Sequence, residues 1–173
     1  FRAGTPMPEW WFFRDDDTYF RADRLMDLVS GIDPMKERAI VGHRNERPFH
    51  TEGHRCWEID PPAAWFGGTG LLLSAALVEA LATKHAEQWL RLQEKQIRLG
   101  CPQYDHHIGT AVSWVSDVRD HVHLREFSRW GCVEHGKITG INETTVSYHM
   151  ERVREAIGDK AALARVSERF SAF

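Results

Sequence analysis

A chain of 173 residues, 42% of them hydrophobic, is long enough for one domain with its own core. Its net charge of −3, with basic residues scattered rather than striped, argues against nucleic acid or an acidic membrane surface as partner. No run approaches about 18 apolar residues, so the sequence itself carries no transmembrane helix.

The run Trp10-Trp11-Phe12-Phe13 reads as a fully buried strand, and Asp15-Asp16-Asp17 follow almost at once. In open α/β sheets the ligand crevice lies beyond the carboxyl ends of the strands. Adjacent carboxylates beside an apolar core repel one another, and desolvation raises the cost. A divalent cation removes both penalties. Extended backbone would send Asp15 and Asp17 to the same side, and oxygen ligands suit Mg²⁺ or Mn²⁺ better than zinc. The same residues also fit a solvated turn capping a helix that starts near Tyr19.

Apolar residues at Phe20, Leu25, Met26, Leu28 and Val29 have nearly helical spacing, which Gly31 and Pro34 end. Ala39-Ile40-Val41-Gly42 reads as a short buried strand. Residues 43 to 62 read as a long loop that admits a strand near Cys56–Ile59. Gly67-Gly68-Thr69-Gly70 comes next, then Leu71-Leu72-Leu73, with Ser74 as the N-cap of a helix through about Lys84. The glycine-rich stretch lacks the signature of a phosphate loop. Its glycines imply torsions or close approaches that a side chain would forbid. It serves either as a tight turn into the Ser74 helix or as bare backbone against a sugar ring.

Ala86 to Leu99 reads as an amphipathic helix with Trp89, Leu92 and Ile97 on the apolar side. Asp105 fits either a helix cap for residues 106 to about 115 or a general base. Val122 to Trp130 reads as a strand or extended connection. Thr144 to Met150 alternates, with Val146, Tyr148 and Met150 on one face and Thr145, Ser147 and His149 on the other. His149 reads as a structural residue or as a ligand. His106-His107 and His121 with His123 read as structural. The charged tail from Glu151 reads as helical. Cys56, Cys101 and Cys132 are too far apart for a structural zinc site, and Asn142-Glu143-Thr144 is a glycosylation sequon. With no initiator Met before Phe1, the sequence reads as an excerpt of a longer protein. Strands alternating with helices predict an α/β fold.

In order, Trp11-Phe12-Phe13 leading into Asp15-Asp16-Asp17-Thr18-Tyr19, then Phe66-Gly67-Gly68-Thr69-Gly70 through Ser74, then Tyr104-Asp105-His106-His107, and last Val146-Ser147-Tyr148-His149, resemble the fringe-like glycosyltransferases of the β1,3-transferase superfamily. The resemblance runs from Trp10 to His149. It implies a GT-A, Rossmann-like α/β fold in a single domain spanning 1–173. Members of that family carry βα units that hold the uridine before the aspartate strand, and with almost nothing there this chain reads as the C-terminal portion of a catalytic domain.

By the same resemblance the enzyme moves a sugar from a UDP-sugar to a glycan or glycoprotein hydroxyl, with Mn²⁺ (or Mg²⁺) and inversion at the anomeric carbon. Asp15, Asp17 and His149 match the metal site. Asp16, Gly67, Gly68, Thr69 and Gly70 match the donor site, and Asp105 matches the catalytic base. Two departures stand out. Tyr104 replaces the first acid of the family's pair, and Thr69 replaces an alanine of the glycine motif. The family's usual place is the Golgi or ER lumen, with membrane attachment only through a segment outside this chain. Rival readings are a non-catalytic carbohydrate-binding or scaffold domain and a metal-dependent phosphohydrolase.

Overall fold

The apolar runs pair into one mixed sheet. A computed structural model describes residues 6–15, 18–45, 64–65, 67–100, 104–122, 127–128, 133–134, 137–138 and 145–149, together with Ala164 and Glu168. In chain order the elements are β1 (Trp10–Phe13), β2 (Thr18–Phe20), α1 (Ala22–Val29), β3 (Ala39–Gly42), β4 (Arg44–Asn45) and β5 (Ala64–Trp65). A 3₁₀ turn over Gly67–Thr69 precedes β6 (Leu71–Ser74), α2 (Ala75–Lys84), α3 (Ala86–Leu99) and α4 (Tyr104–Val112). The strands β7 (Arg119–Val122), β8 (Phe127–Ser128), β9 (Val133–Glu134), β10 (Lys137–Ile138) and β11 (Ser147–His149) complete the described chain.

The main sheet has the order β1-β6-β3-β7. Strand β6 runs antiparallel to both neighbours, and β3 is parallel to β7. Thus β1, β3 and β7 all point their carboxyl ends at one edge. There Phe13 and Gly42 both lie opposite Leu71, and Gly42 lies opposite Val122. A second sheet, β2-β11-β8, pairs Thr18 with His149 and Ser147 with Phe20.

The two-residue alternation of strands divides the core between the faces of the main sheet. Ile40, Leu71 and Leu73 pack with Trp65, Leu77, Ile108 and Val112, and Trp11 and Phe13 rest on this cluster. Val41 and Leu72 pack with Leu25, Val29 and Val146, joined by Trp10 and Phe12. Helix α1 therefore covers one face, and α2 with α4 covers the other. Both faces are buried along β3 and β6, which therefore read as unbroken apolar runs, whereas Trp10–Phe13, expected to be fully buried, is only half-buried because β1 lies at the edge of this sheet.

Ser74 caps α2 as expected, and its buried hydroxyl does more than cap. The Oγ accepts from the N–H of Leu77 (3.3 Å) and of Ala39 (2.9 Å) and donates to the carbonyl of Glu37 (2.6 Å). One side chain thus ties the end of β6 to the entry of β3. Helix α3 ends at Gly100, whose φ of +71° is the left-handed C-cap that glycine tolerates. The exposed turn after α1 is closed by Lys36, whose ammonium bonds Asp33 at 2.8 Å and holds that carboxyl below the usual range.

Several expectations need correction. Thr18–Phe20 is a strand, so the helix after it begins at Ala22. Pairing with β11 overrides the helical spacing there. Ile97 is 73% exposed, and Gln96 takes the inward place at 1%. At about 100° per residue, Gln96 lies one turn from Leu92, whereas Ile97 is rotated far round the helix. Helix α4 begins at Tyr104, so Asp105 sits inside its first turn rather than capping it from outside. Of the extended segment expected over 122–130, Val122 ends β7, which starts earlier at Arg119, and Phe127–Ser128 form β8, while 123–126 and 129–130 lie outside the described residues. Thr145, Val146 and Ser147 are all buried, because a second sheet covers what the alternation presented as a polar face. The region near Cys56–Ile59, all three cysteines, Asn142 and nearly all of the tail lie outside the described residues.

Candidate active site

The carboxyl edge of the main sheet collects the chemistry. Leaving β1, the chain enters a turn in which the Thr18 N–H donates to the Asp15 carbonyl at 3.2 Å. Asp15 is half-buried in this turn, and Asp16 and Asp17 lie outside the described residues. Strand β2 follows, and its first residue, Thr18, is buried. The Thr18 hydroxyl donates to the Gly68 carbonyl at 2.7 Å, tying the acidic turn to the glycine turn across 50 positions of sequence. The Ser147 hydroxyl donates to the Thr69 carbonyl in the same way, so β11 is bound to the glycine turn as well. His149 lies directly opposite Thr18 in the antiparallel register, one position beyond the aspartate run.

Acidic turn, glycine turn and β11 thus meet at one place. Replacing Thr18 with the isosteric Val should leave the buried Gly68 carbonyl short of its partner and cost about 1–3 kcal/mol. Urea unfolding would measure it as a lower midpoint at unchanged slope. A change within about 0.5 kcal/mol would mean that the bond carries no net stability.

The glycine turn is dense. Gly68, Thr69 and Gly70 are buried. Gly70 has φ +86°, and a Cβ there would stand 2.5 Å from Cε2 of Phe12. The Thr69 side chain is enclosed, and its carbonyl serves as an anchor for Ser147.

Asp105 is half-buried in the first turn of α4. Ile108 and Val112 hold that helix in the core beside Trp65, and α4 packs on β5, from which the chain runs through Phe66 into the glycine turn. His107, next to Asp105 but one, is buried, with its Nδ1 2.7 Å from Nε2 of Gln93. His123 and the side chain of His106 lie outside the described residues. His121 is on β7 opposite Val41. Among the described residues no three His, Cys, Asp or Glu side chains gather as a metal site. What the described backbone does contribute is the register that sets Thr18, just after the aspartate run, opposite His149 at the end of β11.

Sequence reasoning missed Thr18 and Ser147 as braces of this edge, and Arg14, whose guanidinium donates to the carbonyls of Asp15 and Thr18. No local signal marked the first two, whose partners lie 50 and 78 positions away.

Fold and site describe an α/β protein with an acidic turn and a glycine turn at the edge where three strands end. The family model described as Fringe-like matches residues 3–157, and the chain belongs to this family, a family of glycosyltransferases. No curated protein and no solved structure matches the chain. Among the described residues no helix is long and apolar enough to cross a membrane.

Proposed function

We propose that this chain forms part of the catalytic domain of a metal-dependent inverting glycosyltransferase with a GT-A fold. The donor is a UDP-sugar, the acceptor is a hydroxyl of a glycan or glycoprotein, and the linkage is β1,3. The observation that carries the reading is the pair of hydroxyl bonds, Thr18 to Gly68 and Ser147 to Thr69, that draw the acidic turn, the glycine turn and β11 together.

In this reading Asp15, Asp17 and His149 would hold Mn²⁺, and Asp16 binds the donor. The bound ion supplies charge neutralisation for the leaving diphosphate. Gly67, Gly68, Thr69 and Gly70 belong to the donor site, which the last three, being buried, shape from behind its surface. Asp105 takes the proton from the acceptor hydroxyl as its oxygen bonds to the anomeric carbon. The bond from that carbon to the UDP oxygen breaks on the opposite side, so a single displacement inverts the centre. No covalent intermediate with the protein forms. The site of action is the Golgi or ER lumen.

The test is UDP release by the full-length protein with a panel of UDP-sugars and acceptors, with and without Mn²⁺. Turnover should require the metal and disappear in Asp17→Ala. Turnover unchanged in that variant would overturn the metal role. Tyr104, in place of the family's first acid, favours a second reading as a carbohydrate-binding domain without turnover. Glycan binding with no UDP release from any donor would decide for it.

A further inference from the structure

We propose that the outer face of helix α3 is a self-association surface, on which a second copy of this chain packs its own α3 antiparallel. The inference stands apart from the sugar-transfer reading. Helix α3 turns Leu92 and Gln96 into the core, yet Leu90 is 61% exposed and Ile97 73%. Single exposed apolar residues are ordinary on a protein surface. These two are seven positions apart, and at about 100° per residue they fall within about 20° of each other. They form one short apolar stripe on the side away from the core.

Charge selects the occupant. Around the helix Glu94, Glu87, Arg98 and Arg91 follow at about 40°, 60°, 80° and 100° from Leu90, all on one flank of the stripe. Both arginines lean along that flank. Nη2 of Arg91 donates to Oε2 of Glu87 at 3.0 Å, and Nε of Arg98 donates to the Glu94 carbonyl at 3.4 Å. From residue 87 to 98 the signs on this flank run minus, plus, minus, plus, and reversed they run plus, minus, plus, minus.

A copy laid antiparallel therefore sets opposite charges side by side. Glu87 meets Arg98 of the second copy, and Arg91 meets its Glu94. A two-fold axis across such a pair keeps the same flank of both helices together, so every contact occurs twice. Leu90 then meets Ile97 of the second copy, within about 3 Å of level along the axis. A parallel pair would put the two charged flanks on opposite sides, and none of these ion pairs would form. One helix from each protomer is small beside the roughly 1,600 Å² of a standard interface, so the pairing is reversible and depends on concentration. Exposed ion pairs add little strength, and their part is to fix which way the helices run.

The experiment is sedimentation velocity of the full-length protein between about 1 and 200 µM, across the range of weak association. The wild type should pass from monomer to dimer. Leu90→Asp and Ile97→Asp should each stay monomeric throughout. Glu87→Arg and Arg98→Glu should each weaken the dimer by about 10-fold, since symmetry removes two ion pairs and sets like charges in their place. Mixed in equal amounts, these two charge variants should form a heterodimer of wild-type strength. The double variant Glu87→Arg/Arg98→Glu should likewise restore the homodimer. Circular dichroism checks that each variant is folded, and the charge exchange decides even where an Asp variant is not.

A wild type that stays monomeric overturns the inference. So does a dimer that folded Leu90→Asp and Ile97→Asp leave intact, because the copies then meet elsewhere. A dimer weakened by the charge variants but recovered by neither the mixture nor the double variant overturns it too, because the loss then lies within the helix rather than in pairing across the axis.

Discussion

Replacing Asp105 by Asn is expected to lower the rate of sugar transfer by about 10²–10⁴-fold, the usual contribution of a positioned general base. The substitution keeps the size of the side chain and removes its ability to take a proton. The fold should survive it. Helix α4 is anchored by Ile108 and Val112 in the main core, and the buried His107 keeps its own contact with Gln93. Mn²⁺ affinity should also hold, because no part of the proposed metal shell is drawn from α4. The loss should therefore appear in kcat, with little change in the metal concentration needed for half-maximal rate. Because Tyr104 stands where the resemblance places the first acid of the pair, Asp105 carries the proton transfer alone in this proposal. An unchanged kcat would assign the proton to another group and leave Asp105 as a residue of the helix start.

The elements that the sequence made legible are those whose partners are local. Ala39–Gly42, the Ser74 cap with its helix to Lys84, and the helix over Ala86–Leu99 appear with the expected bounds. In each, a short apolar run, a capping hydroxyl or a terminal glycine carries the signal within a few positions. What failed was set at a distance. Phe20 looked helical because nothing near it announces β11, more than a hundred residues on, with which its strand pairs. Ile97 looked inward because it is apolar, yet the helix phase set by Leu92 turns Gln96 inward instead.

The site shows the same division. The aspartate run, the glycine turn and the last strand could each be named from local residue types. That they adjoin could not, since the bonds that join them span 50 and 78 positions. The resemblance of their order to a known family supplied that connection, and the match over residues 3–157 agrees with it. Arg14 escaped notice because its partners are backbone carbonyls, which leave no mark on composition.

Gly70→Ala should destabilise the protein by about 2–5 kcal/mol, from two costs that act together. The first is conformational: at φ +86° a residue with a Cβ pays roughly 1–2 kcal/mol. The second is steric, since the new methyl would lie 2.5 Å from Cε2 and 2.6 Å from Cζ of Phe12. That ring cannot simply swing away, because it packs against the cluster of Leu25, Val29, Val41, Leu72 and Val146 and meets Phe20 edge-on. Forcing an extra carbon into such a core costs about 1–3 kcal/mol. Thermal unfolding should register a drop of roughly 2–4 °C per kcal/mol.

A double variant separates the costs. With Phe12→Leu in place, Gly70→Ala should cost less than it does alone, by a coupling of about 0.5–3 kcal/mol. Strict additivity would show that the ring is not the obstacle and that backbone torsion accounts for the whole effect. Either way the strain falls next to Gly68, whose carbonyl holds Thr18. A folded Gly70→Ala protein should therefore also bind Mn²⁺ more weakly, although residue 70 offers the metal no ligand.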